Sequence, residues 1–173
     1  RQVPTPSART VVHKFGGTSV ADAERYRHVA QLLLARDETV QVTVVSAMKG
    51  VTDALIELAE LAAQNRPEWR ERWHETRARH RGAAVALLGE HSGPTVEWLD
   101  ERFEHLSQIL AALAVIGELP REVLDRVQGL GEVYSAQLLG DHFRALGEDC
   151  AVLDARDVLV VNRGELGVDA VSY

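Results

Sequence analysis

Lys14-Phe15-Gly16-Gly17-Thr18-Ser19 lies between a strand-like run at Thr10-Val11-Val12 and a helix-like run over residues 22–36. Strand, glycine turn and helix in that order open a parallel α/β unit, with the turn at the carboxyl end of the strand, where such sheets gather ligands. Gly16 and Gly17 carry no Cβ, so the backbone can turn sharply and come close to a ligand. Thr18 and Ser19 add hydroxyls, and Ser19 with Asp22 three residues on has the spacing of a helix-capping pair. The free N–H groups and positive dipole end of the next helix favour an anion in the turn, and Lys14 adds a full charge. The stretch predicts a phosphate-binding turn. A Gly-Gly pair after a strand is also a common plain turn; the lysine and the Thr-Ser pair favour phosphate.

Working outward, residues 11–15 and 40–47 read as strands, the second with Val40, Val42 and Val44 on one face. Between them Tyr26, Val29, Ala30, Leu33 and Leu34 fall on one helical stripe. Further strands are expected at 150–153 and 158–161. Ser46-Ala47-Met48 closes the second strand, so two strand ends converge on one site. Residues 52–147 form a helical excursion. Trp69, Trp73, Thr76, His80, Ala83 and Leu87 share a stripe, and Val96, Leu99, Phe103, Leu106, Leu110 and Leu113 alternate spacings of three and four. With Gly93-Pro94 between them, these predict a helical hairpin with facing seams. Another helix starts near Pro120, and Ala136, Leu139, Phe143 and Leu146 mark an amphipathic helix after Glu132. Residues 1–9, with Pro4 and Pro6, read as a flexible arm, and the missing initiator Met as a sign of trimming.

The 173 residues are long enough to bury a real core, and 46% hydrophobic with 26% charged residues is ordinary for a globular chain. The net charge of -7 argues against nucleic-acid and anionic-membrane partners, which call for a basic surface. Arg66, Arg70, Arg72, Arg77, Arg79 and Arg81 beside Trp69 and Trp73 suggest a nucleic-acid helix, but Glu68 to Arg72 and Glu75 to Arg79 have ion-pair spacing. A solvated helix face is the better reading. The seven histidines and one cysteine show no metal-ligand spacing, so no protein-held metal is expected. Cys150 alone cannot form an internal disulfide and suits a reducing compartment. The apolar run at 109–116 is too short to span a bilayer and no signal peptide opens the chain, so a cytoplasmic location is expected.

Three ordered segments carry a family resemblance. Lys14 to Val20, Val44-Val45-Ser46-Ala47-Met48-Lys49-Gly50-Val51-Thr52-Asp53, and Gly131-Glu132-Val133-Tyr134-Ser135 resemble the signatures of aspartate kinases in the amino-acid kinase superfamily, with a fainter echo at Asp154-Ala155-Arg156-Asp157. The resemblance implies an α/β fold, an amino-acid-kinase-like three-layer sandwich with a mostly parallel sheet, incomplete here, and an inserted helical hairpin. Residues 10–173 would be the amino-terminal, substrate-side portion of the kinase domain. The later half of such a domain, with most of the nucleotide pocket, would lie beyond Tyr173. The parent is expected to be a homo-oligomer and is open to fusion with homoserine dehydrogenase.

The implied reaction moves the γ-phosphoryl of ATP, with Mg²⁺, to the side-chain carboxylate of L-aspartate, giving β-aspartyl phosphate for lysine, threonine and methionine synthesis. A carboxylate with a pKa of about 4 is already ionised at neutral pH, so no general base is required. Catalysis then rests on positioning and on neutralising charge. By resemblance Lys14 is catalytic, and Lys14, Gly16, Gly17, Thr18, Ser19 and Ser46 hold phosphate. Thr52 and Glu132 hold aspartate, Glu132 through its ammonium group. Read without the resemblance, Thr52 is equally a helix N-cap, Glu132 a first-turn acid and Ser46 a strand-terminal hydroxyl. Two other readings remain: a non-catalytic amino-acid-binding or assembly module of the same fold, and a kinase acting on glutamate, carbamate or a nucleoside monophosphate.

Overall fold

The computed structural model describes residues 10–38, 40–158, 160–164 and 167–172. The expected arm at 1–9 lies outside them. Strand β1 (Thr10–Phe15) leads through a 3₁₀ turn (Gly17–Val20) into α1 (Ala23–Leu34) and then β2 (Val40–Val45). β1 and β2 pair in parallel with Lys14 opposite Val44 and Phe15 opposite Val45, so both strands end at the same level. The Ser46 amide donates to the Phe15 carbonyl at 3.0 Å just beyond the ladder. Alternation divides the sheet: Val11, His13, Phe15, Gln41, Thr43 and Val45 face inward, while Val12, Lys14, Val40, Val42 and Val44 face out. On α1 the stripe is buried at Tyr26, Val29, Ala30 and Leu33, but Leu34 is exposed.

The excursion is helical throughout: α2 (Val51–Ala63), α3 (Trp69–Leu88), α4 (Ser92–Ile116), α5 (Arg121–Gln128) and α6 (Leu130–Ala145). α3 and α4 form the expected hairpin. Trp73 Nε1–H donates to the Phe103 carbonyl at 2.9 Å and Arg77 pairs with Asp100 at 2.9 Å, so rising numbers on α3 meet falling ones on α4, as antiparallel helices require. Burial opposes ionisation of Asp100, but Arg77 and Arg81 outweigh it and hold the carboxyl below its usual range. Leu99, Phe103, Leu106, Leu110 and Leu113 of α4 pack with α2 and α3 in one core. Each such side chain contributes roughly 1.5–3 kcal/mol by leaving water.

Four sequence expectations are corrected. The hairpin breaks at Gly89, where φ is +58°, and not at Gly93-Pro94. Pro94 sits in the first turn of α4, where its missing N–H leaves no helical bond unmade. α6 begins at Leu130 and buries Leu139 of the expected stripe together with Gly131, Tyr134, Ser135, Leu138 and His142; Ala136 and Phe143 are half-buried against the core, and Leu146 is exposed. The apolar stripe gave only one side of this face because Tyr134, Ser135 and His142, which complete it, carry polar atoms. Residues 150–153 form no strand: the Cys150 carbonyl accepts from Arg144 Nε at 3.0 Å, and Val152 sits against Gly140, so the segment is tied to α6. The strand expected at 158–161 is preceded by a short helix, α7 (Ala155–Val158), because the Asp154 carboxylate caps the Arg156 amide at 3.0 Å. β3 (Val160–Gly164) and β4 (Gly167–Ser172) then pair antiparallel.

Candidate active site

The three sequence segments meet through two glycines. A Cβ added to Gly17 would lie 2.8 Å from the Ala47 carbonyl oxygen and 3.6 Å from the Lys49 backbone. One added to Gly131 would lie 2.6 Å from the Ala47 Cβ and 3.0 Å from the Val51 side chain. Real Cβ atoms do not approach backbone or a neighbouring methyl that closely, so glycine is what lets the first and third segments close on the second. Residues 46–51 are the hub. The structure thereby brings the backbones carrying Thr18, Ser46, Thr52 and Glu132 to one junction at the ends of the parallel strands.

The side chains suit a polar ligand. Lys14 and Thr18 are exposed; Ser19, Ser46, Thr52 and Glu132 are half-buried. A Cβ on Gly16 would meet only the Lys14 Nζ, at 3.9 Å, so the backbone there is open and overhung by an ammonium group. The Ser19 amide donates to the Gly16 carbonyl at 2.9 Å and closes the 3₁₀ turn. The capping pair expected of Ser19 and Asp22 is corrected: Asp22 caps α1 itself, accepting from the Arg25 amide at 3.0 Å. A carboxylate therefore already occupies the positive end of α1, and an anion is left the amides of the Gly16–Gly17 turn and Lys14. Thr52 is not the cap of α2; Gly50 holds that place, with φ +78°. Glu132 does lie in the first turn of α6.

Two further links surround the junction. The Tyr26 hydroxyl and Ser135 Oγ are 2.7 Å apart and buried, joining α1 to the third segment. Burial pushes the Tyr26 hydroxyl well above its usual range, so it stays protonated. Counting Tyr26 as one more apolar stripe residue hid this bond. Arg79 of α3, assigned by spacing to Glu75, instead donates to the Lys49 carbonyl at 2.8 Å and the Ala21 carbonyl at 3.4 Å. Arg72 takes Glu75 and Glu57, and Arg66 takes Glu68. Asp154 and Arg156 form a local pair whose hydrogen bonds hold the Asp154 carboxyl below its ordinary range. A cleft of about 400 Å³ lined by Phe15, Thr18, Ser19, Arg25, His28, Val29 and Leu32 opens along α1. It includes none of Lys14, Ser46, Thr52 or Glu132.

A parallel strand pair whose ends carry a lysine-glycine turn, with a helical acid beside it, is matched by a family model over residues 9–171, described as the amino acid kinase family. The chain belongs to the amino acid kinase family. Among curated relatives of this family member, a bifunctional aspartokinase/homoserine dehydrogenase 1, chloroplastic, from Arabidopsis thaliana is 37% identical over 87% of this chain and 17% of its own length. A bifunctional aspartokinase/homoserine dehydrogenase, chloroplastic, from Daucus carota is 37% identical over 87% of this chain and 16% of its own. The chain thus spans about a sixth of the length of these relatives. The crystal structure of E. coli aspartokinase III with aspartate and ADP superposes with a TM-score of 0.79 at 27% identity, covering 89% of this chain and 33% of that one. That superposition bears out the amino-acid-kinase fold expected from the sequence. Among the described residues no helix is long and apolar enough to cross a membrane.

Proposed function

We propose that this chain forms the substrate-side part of an aspartate kinase, which transfers the γ-phosphoryl of ATP to the L-aspartate side-chain carboxylate. The observation that carries the reading is the closure of all three signature segments on residues 46–51 through Gly17 and Gly131. Lys14 and the Gly16–Gly17 amides face the transferring phosphoryl group, with Thr18, Ser19 and Ser46 beside them. Thr52 and Glu132 receive aspartate, Glu132 through a charge-assisted bond to the α-ammonium group. Because the nucleophile is ionised beforehand, these residues position two anions and offset their repulsion. Among the described residues no three acidic, histidine or cysteine side chains gather as a metal site. On this reading Mg²⁺ enters as the ion accompanying ATP, held mainly by its phosphates. The structure of the E. coli enzyme with aspartate and ADP supports both ligands by family likeness.

The products would feed lysine, threonine and methionine synthesis, and the parent enzyme would assemble as a homo-oligomer. The half-buried thiol of Cys150, raised by burial, suits a reducing compartment, the cytoplasm on our reading, whereas the two plant relatives are named as chloroplastic. The deciding experiment is isothermal titration of the folded chain with L-aspartate, using Glu132→Ala as control. Saturable heat that the variant loses is expected. A folded chain giving no heat favours a non-catalytic assembly module instead.

A further inference from the structure

The geometry points to Arg79 as a positioning residue that ties the two loops of the site together from the helical hairpin. Its guanidinium donates to the Lys49 carbonyl at 2.8 Å and, by a longer bond, to the Ala21 carbonyl at 3.4 Å. Ala21 ends the 3₁₀ turn bearing Thr18 and Ser19; Lys49 directly precedes Gly50, the cap of the helix bearing Thr52. These loops also meet at Gly17, which has no side chain to fasten them. Both bonds leave one guanidinium nitrogen, Nη2, whose two N–H groups are fixed in the guanidinium plane, whereas the donors of a lysine ammonium rotate freely.

The anchor behind Arg79 is firm. Its neighbour His80 is fully buried, bonded to the Thr76 carbonyl at 2.7 Å and packed on the Phe103 and Tyr134 rings. One turn earlier Thr76 is buried, and Trp73 is bonded across to α4. Arg79 itself is exposed, so replacing it leaves the core untouched. The α3–α4 hairpin, on this account, is a strut that sets the distance between the phosphate-side and aspartate-side loops. A reaction that depends on aligning two anions is sensitive to such a distance. The importance of the strut for turnover rests on the kinase reading; the link itself does not.

Hydrogen–deuterium exchange of the 173-residue chain tests it, comparing wild type, Arg79→Gln and Arg79→Lys. In Arg79→Gln, amides at 17–21 and 47–50 should exchange roughly tenfold faster together, with α4 unchanged. Arg79→Lys, keeping one cationic donor, should recover part of the protection. Unchanged exchange in both loops, or a change confined to α3, overturns the proposal. Aspartate titration adds a second readout: Arg79→Gln should weaken binding several-fold at an unaltered melting temperature. If the wild-type chain ignores aspartate, the kinase reading fails, and loop exchange still decides the role of Arg79.

Discussion

A methyl group at position 131 would stand 2.6 Å from the Ala47 Cβ and 3.0 Å from Val51. Neither neighbour is the free end of a long side chain, so α6 would have to back away from the hub and carry Glu132 with it. Gly131→Ala should therefore destabilise the chain by about 1–3 kcal/mol, the usual range for overpacking. On the proposed reading it should also weaken aspartate binding while leaving Thr52 and Glu132 themselves unaltered. Urea denaturation and titration on the same preparation check both, and a wild-type midpoint would show that the junction has slack. At this scale the sequence was legible in kind but not in contact. Gly17, Gly131, Thr52 and Glu132 were all visible as signature positions. That the two glycines press on one segment, or that Tyr26 reaches Ser135 across 109 residues, depends on tertiary packing that local spacing does not encode.

Elements were legible where periodicity was long and uniform, and less so at their ends. The seam of α4 stands out because Leu99, Phe103, Leu106, Leu110 and Leu113 recur every three or four positions, and that of α3 because Trp69, Trp73 and Leu87 frame its polar members Thr76 and His80. Their break was misplaced because Pro94 looks like a stop yet is tolerated in a first turn. The face of α6 was read only in part, at Leu139, because Tyr134, Ser135 and His142 are buried despite their polar atoms. His80 gives the hairpin a measurable signature. Burial pushes its pKa down to about 4, with the Arg79 charge acting the same way and the Thr76 bond opposing. The unfolded chain, with an ordinary value near 6.5, then binds more protons than the folded one between about pH 6.5 and 4. Stability should fall as pH drops through that window, by up to roughly 3 kcal/mol at about 1.36 kcal/mol per pH unit. His142, also lowered by burial, adds in the same direction. In His80→Gln the slope of stability against pH should shrink across this window, as followed by urea melts. An unchanged slope would mean that the ring finds another way to carry its proton.

For the molecule as a whole, the parallel pair β1–β2 could be read from the valine-rich runs, but the stretch at 150–153 carries a strand-like composition and is recruited by Arg144 and Gly140 instead. Among the described residues the sheet on which the site stands therefore has only two strands, each with one unpaired edge. Its outer face presents Val12 at 66%, Val40 at 44%, Val42 at 44% and Val44 at 49% exposure. Val12 and Val42 are register partners, so these side chains form one patch, bordered by Lys14. Contiguous apolar area next to open backbone donors and acceptors is the combination that draws strands together. A second copy of this chain offers the same face and the same edge, and the isolated chain should self-associate at micromolar concentrations. Placing a like charge at the centre of the patch, in Val42→Lys, should disfavour that pairing while leaving the inward face and the helical core intact. Light scattering of both proteins over a dilution series gives the answer: a wild-type chain that stays a monodisperse monomer would show that the four valines are tolerated in water as they stand.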